Sequence, residues 1–449
     1  MGQGLRETQD EESWAQTHDR PIPGLILVFA GGGASPSLRA IPAGAGGVGL
    51  GREDAGGEPL DDDRVSREHA HVSYGPGGWT VRDLGSRNGT FLNGEPVQGE
   101  VKLPASVARV LRVGHTLFLL KADVGPFQNA LVDVSDARVV GPTLRAVFGQ
   151  ISRSARSAET LLITGESGSG KELAARLFHD SSGRAAGAFI AVNCAAIPEG
   201  VAERLLFGAK KGAYSGALTD SEGYIQAADG GTLFLDEVAE LDPLVQAKLL
   251  RVLETREVMP LGAARAKAVD VRVVCATHVD LRAAAAEKNF RADLFYRIGQ
   301  PEVRLPALRD RLEEIPWLVA RELAKIDRTL VPHGKLMESC LLRPWPGNVR
   351  ELLAEIRRAA NETLAVGSHT VRLQSLGDRA GEKYSPLDSV SDSSVGASIS
   401  GVMPSKEAIE AALGREAGNV AAAARALGLH RTQLYRLMKR YGIMPGTST

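Results

Sequence analysis

The chain has 449 residues, enough for about three domains at roughly 100 to 200 residues each. Hydrophobic residues make up 43% and charged residues 24%, with a formal net charge of −1, which excludes fibrous and disordered classes and requires any nucleic-acid surface to be local. The first twenty residues carry Glu7, Asp10, Glu11, Glu12 and Asp19 without an apolar core, so a secretory signal is not expected. The longest apolar stretches, such as LILVFA at 25–30, fall short of the ~18 residues of a spanning helix. The expected location is the cytoplasm, without membrane contact. Cys194, Cys275 and Cys340 are scattered without CxxC spacing and read as reduced packing residues, with neither disulfide nor zinc.

From 24 to 122, short β-like runs (LILVFA, HAHVSY, WTVRDL, VARVLRV, TLFLLK) alternate with glycine-rich turns, which predicts an all-β sandwich. From 138 to 302, strand-like TLLITG, AFIAVN, GTLFLDE and VDVRVVCATH alternate with helical stretches such as PLVQAKLLRVLE, the pattern of an α/β core with a parallel sheet. Residues 303–374 lose the strands and become helical, with LEEIPWLVARELAKI and NVRELLAEIRRAANETL as amphipathic pieces. A tether is expected over 375–402, whose SPLDSVSDSSVGASISG is serine-rich and without periodicity. An all-α segment over 403–445 closes the chain. From 401 to 449 seven Lys/Arg face three acids, the basic patch hidden by the overall balance.

Two motifs carry the chemistry. GESGSGKE at 165–172 follows a strand, so backbone N–H groups of Gly165, Glu166, Ser167, Gly168, Ser169 and Gly170 are placed to cradle phosphate at a helix N-terminus, with Lys171 reaching the β and γ phosphates of ATP. The pattern GxxxxGK[ST] fails at its last position, where Glu172 replaces the hydroxyl that helps hold Mg²⁺. GGTLFLDE at 230–237 supplies what is missing: Asp236 is placed to hold Mg²⁺ and Glu237 to orient and deprotonate water. Asn193, closing FIAVN, either hydrogen-bonds Glu237 or satisfies nearby backbone groups. Between the motifs, GAYSGA at 212–217 flanks an aromatic tip with glycines, a hairpin that hydrolysis does not require.

GESGSGKE, VNCAAIPEG, LLFGAKKGAYSGA, GTLFLDEV, FRADLFYR and WPGNVREL, in this order over 138–370, resemble the bacterial enhancer-binding AAA+ activators of sigma-54 RNA polymerase. The resemblance implies a Mg²⁺-dependent ATPase with a helical lid, working as a hexameric ring that remodels the sigma-54 holoenzyme. It assigns Arg291 and Arg297 to a neighbour's site, Arg350 to the lid sensor, Thr277 to the sensor strand, and Asn193 with Glu237 to a hydrolysis switch. Gly212, Ala213, Tyr214, Ser215, Gly216 and Ala217 become the sigma-54 contact. The chain departs from the family at His278, where asparagine is usual, at Ala209 and Lys210, where GHEK is usual, and at GAYSGA in place of GAFTGA.

GRED (51–54), SREHAHV (66–72), GSRNGTFLNG (85–94) and LRVGHTLFLL (111–120) resemble a forkhead-associated (FHA) domain. The resemblance implies phosphothreonine recognition by Arg52, Ser66 and Arg67, with Asn88 on the peptide backbone and His69 buttressing the loop. The phosphopeptide would come from a partner or from Thr8 or Thr17 of the chain's own tail, through a serine/threonine kinase. EAIEAALGREAGNVAAAARALGLHRTQLYRLMKRYGI resembles a Fis-type helix-turn-helix, with Arg431, Thr432, Gln433, Arg436 and Lys439 facing enhancer DNA. The reading is a multidomain activator. A second function stays open: a phosphopeptide-dependent DNA-binding regulator that binds ATP without engaging sigma-54.

Overall fold

The computed structural model describes residues 21–382, apart from positions 108, 136, 137, 199 and 216. The helix-turn-helix segment and most of the tether lie outside the described residues, as do Thr8, Thr17 and Gly216.

The front segment is a sandwich of two sheets. One has six strands in the order Ser35–Pro42, Gly24–Ala30, Thr116–Lys121, Val110–Val113, Thr90–Leu92, Glu95–Pro96; the other has four, Val48–Leu50, Ala70–Gly75, Gly78–Asp83, Glu100–Leu103. The two sheets read differently in the sequence. In the four-stranded sheet apolar and polar residues alternate, so Ala70, Val72, Trp79 and Val81 are buried while their neighbours face outward. In the larger sheet the central strand GLILVFA is apolar at almost every position, because both of its faces are covered. Leu25 and Leu27 enter the sandwich core with Leu111, Val113, Phe118 and Leu120. Ile26, Val28, Phe29, Val110, Leu117 and Leu119 point the other way, into a second core shared with the C-terminal helices. Burying each of these side chains is worth about 1.5–3 kcal/mol, so the second face is a substantial interface.

The central segment is a five-stranded sheet in the order Phe189–Asn193, Thr232–Asp236, Arg272–Thr277, Thr160–Thr164, Glu302–Arg304, parallel throughout. Helices cover both faces, giving one core around Leu233, Leu235, Val273 and Cys275 and another around Phe178, Phe234, Val274 and Ile163. The helix Pro243–Thr255 starts because Asp242 accepts from the N–H groups of Leu244 and Val245 with proline in its first turn, and it stops at Arg256 in the left-handed region. All three cysteines are free and buried, as packing residues should be. No described helix is long and apolar enough to cross a membrane.

The C-terminal helices are Ile315–Ile326, Gly334–Leu342 and Asn348–Ala365. The last buries Leu352, Ile356, Ala359, Ala360 and Thr363, a 3.6-period stripe. Three expectations need correcting. The helical segment does not begin at 303, because Val303 and Arg304 complete the edge strand of the core sheet. It does not lose its strands, since Val331–Pro332 pairs in parallel with Thr370–Val371. The tether does not begin at 375: Leu376 and Ala380 are buried against the lid, and Gly381 O accepts from Trp345 N. Two apolar side chains suffice to hold that stretch, which serine content alone conceals.

Candidate functional site

The sheet places the ends of its strands along one edge, where ligands of open α/β folds bind. The strand Thr160–Thr164 runs into the glycine loop, and the helix Lys171–Asp180 follows. Gly168 (φ +73°) and Gly170 (φ +105°) adopt left-handed backbone. A Cβ at Gly168 would lie 2.3 Å from Gly347 O, so the loop is pressed against the lid. Lys171 is buried, with Nζ donating to Gly165 O at 3.1 Å and to Glu237 Oε1 at 3.2 Å.

Asp236 ends the strand Thr232–Asp236, and Glu237 follows in left-handed backbone at φ +52°, a strained position for a side chain other than glycine. Burial pushes the Asp236 carboxyl above its ordinary range against the pull of Lys171. Burial acts on Glu237 too, but there the His278 hydrogen bond and Lys171 outweigh it and hold the carboxyl low. His278 Nδ1 lies 2.7 Å from Glu237 Oε2.

The cleft has a volume of about 430 Å³. Its lining combines the glycine loop, Asn193, Asp236, Glu237 and Arg350 with the apolar Val139, Val140, Phe148 and Leu318, and with Arg138, Arg311, Glu314 and Arg321, groups that suit phosphates and a flat base. Among the described residues Asp236 accepts only from the Glu237 N–H, at 3.1 Å, and its desolvated charge is the kind that a divalent cation relieves. Mg²⁺ keeps several waters and takes one or two carboxylates beside phosphate oxygens, so these residues fit it. Among the described residues no larger cluster of metal-binding groups occurs. Glu172 is engaged by Arg176 at 3.2 Å.

Other expected residues fall as follows. Arg350 Nη1 donates to Ser167 Oγ at 3.2 Å, bringing the lid helix to the glycine loop. Thr277 is fully buried, and its hydroxyl accepts from Val279 N while its carbonyl accepts from Gly165 N. Arg291 pairs with Asp293 through two hydrogen bonds at 3.1 and 2.7 Å, and Arg297 donates to Leu253 O; neither lines the cleft. The expected pairing of Asn193 with Glu237 is not formed. Asn193 Oδ1 caps the turn after its strand by accepting from Ala195 N at 3.0 Å, the backbone-satisfying alternative.

Gly212 is left-handed and its N–H donates to Ala217 O, so the two ends of the GAYSGA segment meet. Tyr214 lies against its own body: Arg204 Nη1 donates to its hydroxyl at 3.2 Å and the guanidinium sits 5.4 Å from the ring centre. The departures are accommodated locally. Ala209 is buried between Ser221 and Leu261, and Lys210 pairs with Asp220 at 2.6 Å.

On the sandwich, Arg52, Ser66, Arg67 and Asn88 lie on loops at one end. Gly51 brings them together: a Cβ there would sit 1.8 Å from Arg67 O. Arg52 N donates to Ser66 O, Arg87 N donates to Ser66 Oγ, and Asn88 Nδ2 donates to Arg64 O at 2.7 Å. His69 is fully buried; Nδ1 accepts from Ser66 N and Nε2 donates to Gly89 O, so it holds the loop as expected. Arg431, Thr432, Gln433, Arg436 and Lys439, expected to face DNA, lie outside the described residues.

Several site residues were not singled out from the sequence. Asn348 Nδ2 donates to Glu166 Oε2 and to Ser167 O, while its Oδ1 accepts from Leu308 N, so it ties the lid to the glycine loop. Arg309 clamps Glu166 with two bonds, and Arg311 donates to Ser169 O and Glu314. Asn348 sat inside WPGNVREL; the two arginines carried no pattern.

Comparison with known proteins agrees with this geometry. The sigma-54 interaction domain family matches residues 139–304, the FHA domain family 48–108, and the Fis family of bacterial regulatory proteins 405–441. The response regulator protein PilR of Pseudomonas aeruginosa is 40% identical over 352 residues, covering 75% of this chain and 76% of its own. The hydrogenase transcriptional regulatory protein HoxA of Bradyrhizobium diazoefficiens is 41% identical, covering 68% of this chain. The chain spans about 65% of HoxA's length and 50% of the Nif-specific regulatory protein of Azospirillum lipoferum. Among solved structures, NtrX of Brucella abortus matches with TM-score 0.51 at 30% identity, covering 68% of this chain and 69% of that one. The same protein in complex with ADP matches with TM-score 0.50. The chain belongs to the family of bacterial sigma-54-dependent transcriptional activators, with an AAA+ core, an FHA domain in front and a Fis-type helix-turn-helix behind.

Proposed function

We propose that this protein is a cytoplasmic bacterial activator that binds enhancer DNA through its Fis-type tail and hydrolyses ATP in a hexameric ring to remodel sigma-54 RNA polymerase. The observation that carries the reading is the convergence of Lys171, Asp236, Glu237 and Arg350 on one cleft that apolar side chains also line. Lys171 leaves Glu237 for the β and γ phosphates when ATP enters, and Arg350 follows from the lid. Asp236 would hold Mg²⁺, which when bound would supply neutralisation of phosphate charge. Glu237 takes the proton of the attacking water, a bond forms from water oxygen to the γ-phosphorus, and the bond to the β-phosphate bridging oxygen breaks, leaving ADP with the electron pair. Arg291 and Arg297 reach a neighbouring subunit's nucleotide and stabilise charge on the transferring group. Tyr214, released from Arg204, is the sigma-54 contact.

The front domain reads phosphothreonine on a partner or on the chain's own tail, written by a serine/threonine kinase, through Arg52, Ser66, Arg67 and Asn88. Its shared core with the lid supports this as the regulatory input. Arg109 Nη2 donates to Arg309 O, and Arg309 holds Glu166 of the glycine loop. A buried ion pair, Arg112 Nε to Glu338 Oε2 at 2.7 Å, locks the same interface. The test is capture of sigma-54 by the protein held with ADP and aluminium fluoride, with Tyr214→Ala as control. Capture lost in the variant supports the activator. Hydrolysis without capture overturns sigma-54 engagement, and no hydrolysis favours the DNA-binding regulator that only binds ATP.

A further inference from the structure

Glu237 is held at both ends of its carboxylate. Lys171 Nζ takes Oε1 at 3.2 Å, and His278 takes Oε2 through Nδ1 at 2.7 Å, with its backbone N–H at 3.4 Å. These two partners have different futures once nucleotide enters. Lys171 sits at the N-terminus of the helix that follows the glycine loop, where phosphate competes for it. His278 directly follows the strand Arg272–Thr277, which is bonded on both sides to neighbouring strands, so its backbone is fixed in register beside the Glu237 strand. Asn193 nearby has its Oδ1 engaged by Ala195 N, and its Nδ2 makes no hydrogen bond to Glu237.

We propose that His278 is the positioning residue of the hydrolytic step, holding Glu237 by Oε2 so that Oε1, once freed by Lys171, faces the attacking water. The proposal rests on the reading of Glu237 as the base. An ionised carboxylate only accepts hydrogen bonds, so the proton of this contact belongs to His278 Nδ1. A carboxylate tied at one oxygen keeps lone pairs on the other, which is what proton abstraction needs. The left-handed backbone at Glu237 is strained and turns the side chain toward this partner, a conformation that the bond to His278 helps to hold. The role that a side-chain amide from Asn193 was expected to fill thus passes to an imidazole on a different strand.

The choice of nitrogen makes the test selective. Asparagine places its amide nitrogen where Nδ1 lies, whereas glutamine places it near Nε2, one bond farther out. Steady-state ATPase of the full-length protein is measured with saturating Mg²⁺ for the parent, His278→Asn, His278→Gln, His278→Ala and Glu237→Gln, with affinity for a fluorescent ATP analogue measured in parallel. His278→Ala and His278→Gln are expected to lose about tenfold or more in kcat, the size of a hydrogen bond to a charged group, with KM and analogue affinity within about twofold of the parent. His278→Asn is expected to stay within about threefold of the parent. If His278→Gln matches the parent, if His278→Asn falls as far as His278→Ala, or if the loss lies in KM, the positioning role is overturned. Glu237→Gln separates the two readings. Full activity in that variant removes Glu237 as the base, while its inactivity beside an active His278→Ala removes only the role given to His278.

Discussion

Removing either member of the Arg112–Glu338 pair should open the interface between front domain and lid. The side chains are 6% and 9% exposed, the Nε–Oε2 distance is 2.7 Å, and Arg112 also donates to Gly114 O and lies 3.8 Å over the Phe91 ring. Among the described residues Glu338 Oε1 is buried without a hydrogen-bond partner, so Arg112→Ala leaves the carboxylate without its ion pair. Breaking a buried pair from one side costs about 3–5 kcal/mol, while replacing both members by apolar residues of similar size is close to neutral. Chains of this size open in parts, so a local measurement is required. Native-state hydrogen exchange should report amides of Val110–Val113 and Gly334–Leu342. Their protection should fall by roughly two to four orders of magnitude in Arg112→Ala and in Glu338→Ala, and recover in Arg112→Met with Glu338→Leu. Equal protection in all four proteins, or additive losses in the double variant, would refute the claim that this pair locks the two parts together.

The same interface should be sensitive to acid. His115 and His333 meet edge to face at 4.6 Å, and burial, reinforced by Arg64 nearby, lowers both below the ordinary histidine value. A depressed folded pKa means that stability is present above about pH 6.5 and is lost as pH falls through the folded value; protonating His333 also removes the Nδ1 acceptor that caps Lys335 N. Protection of these amides, corrected for the intrinsic slowing of exchange in acid, should therefore fall between pH 7 and 5, and His333→Asn should flatten the change. Arg204→Ala should release Tyr214 and raise sigma-54 capture severalfold in the aluminium fluoride assay; unchanged capture would mean that the ring contact does not restrain the loop. Gly51→Ala forces a Cβ into Arg67 O, and phosphothreonine-peptide affinity, read by calorimetry, should drop at least about tenfold while ATPase at saturating ATP stays at the parent level.

Local chemistry is what a sequence writes most directly, and here it was legible. The glycine loop, Lys171, and the acids after LFLD are short-range patterns whose backbone geometry follows from glycine freedom and strand ends, and the structure brings them to one cleft. His69 was readable as a loop support through the resemblance to FHA domains, and the structure supplies the bond, Ser66 N donating to its Nδ1. The strands of the sandwich followed from short β-like runs between glycine-rich turns, and the stripe of Asn348–Ala365 from an amphipathic helical pattern. LILVFA read as a β-like run, without any sign that both of its faces are covered or by what. That answer, the lid, needed the tertiary structure, because the contact joins residues more than two hundred positions apart. The partner of Glu237 was decided in the same way: strand register sets His278 beside it, and the turn after Phe189–Asn193 draws Asn193 away to its own backbone. Sequence determined which groups are present and their local conformation; which of them meet across the fold was fixed only by how strands and helices pack, since a contact of that kind leaves no periodic mark on the chain.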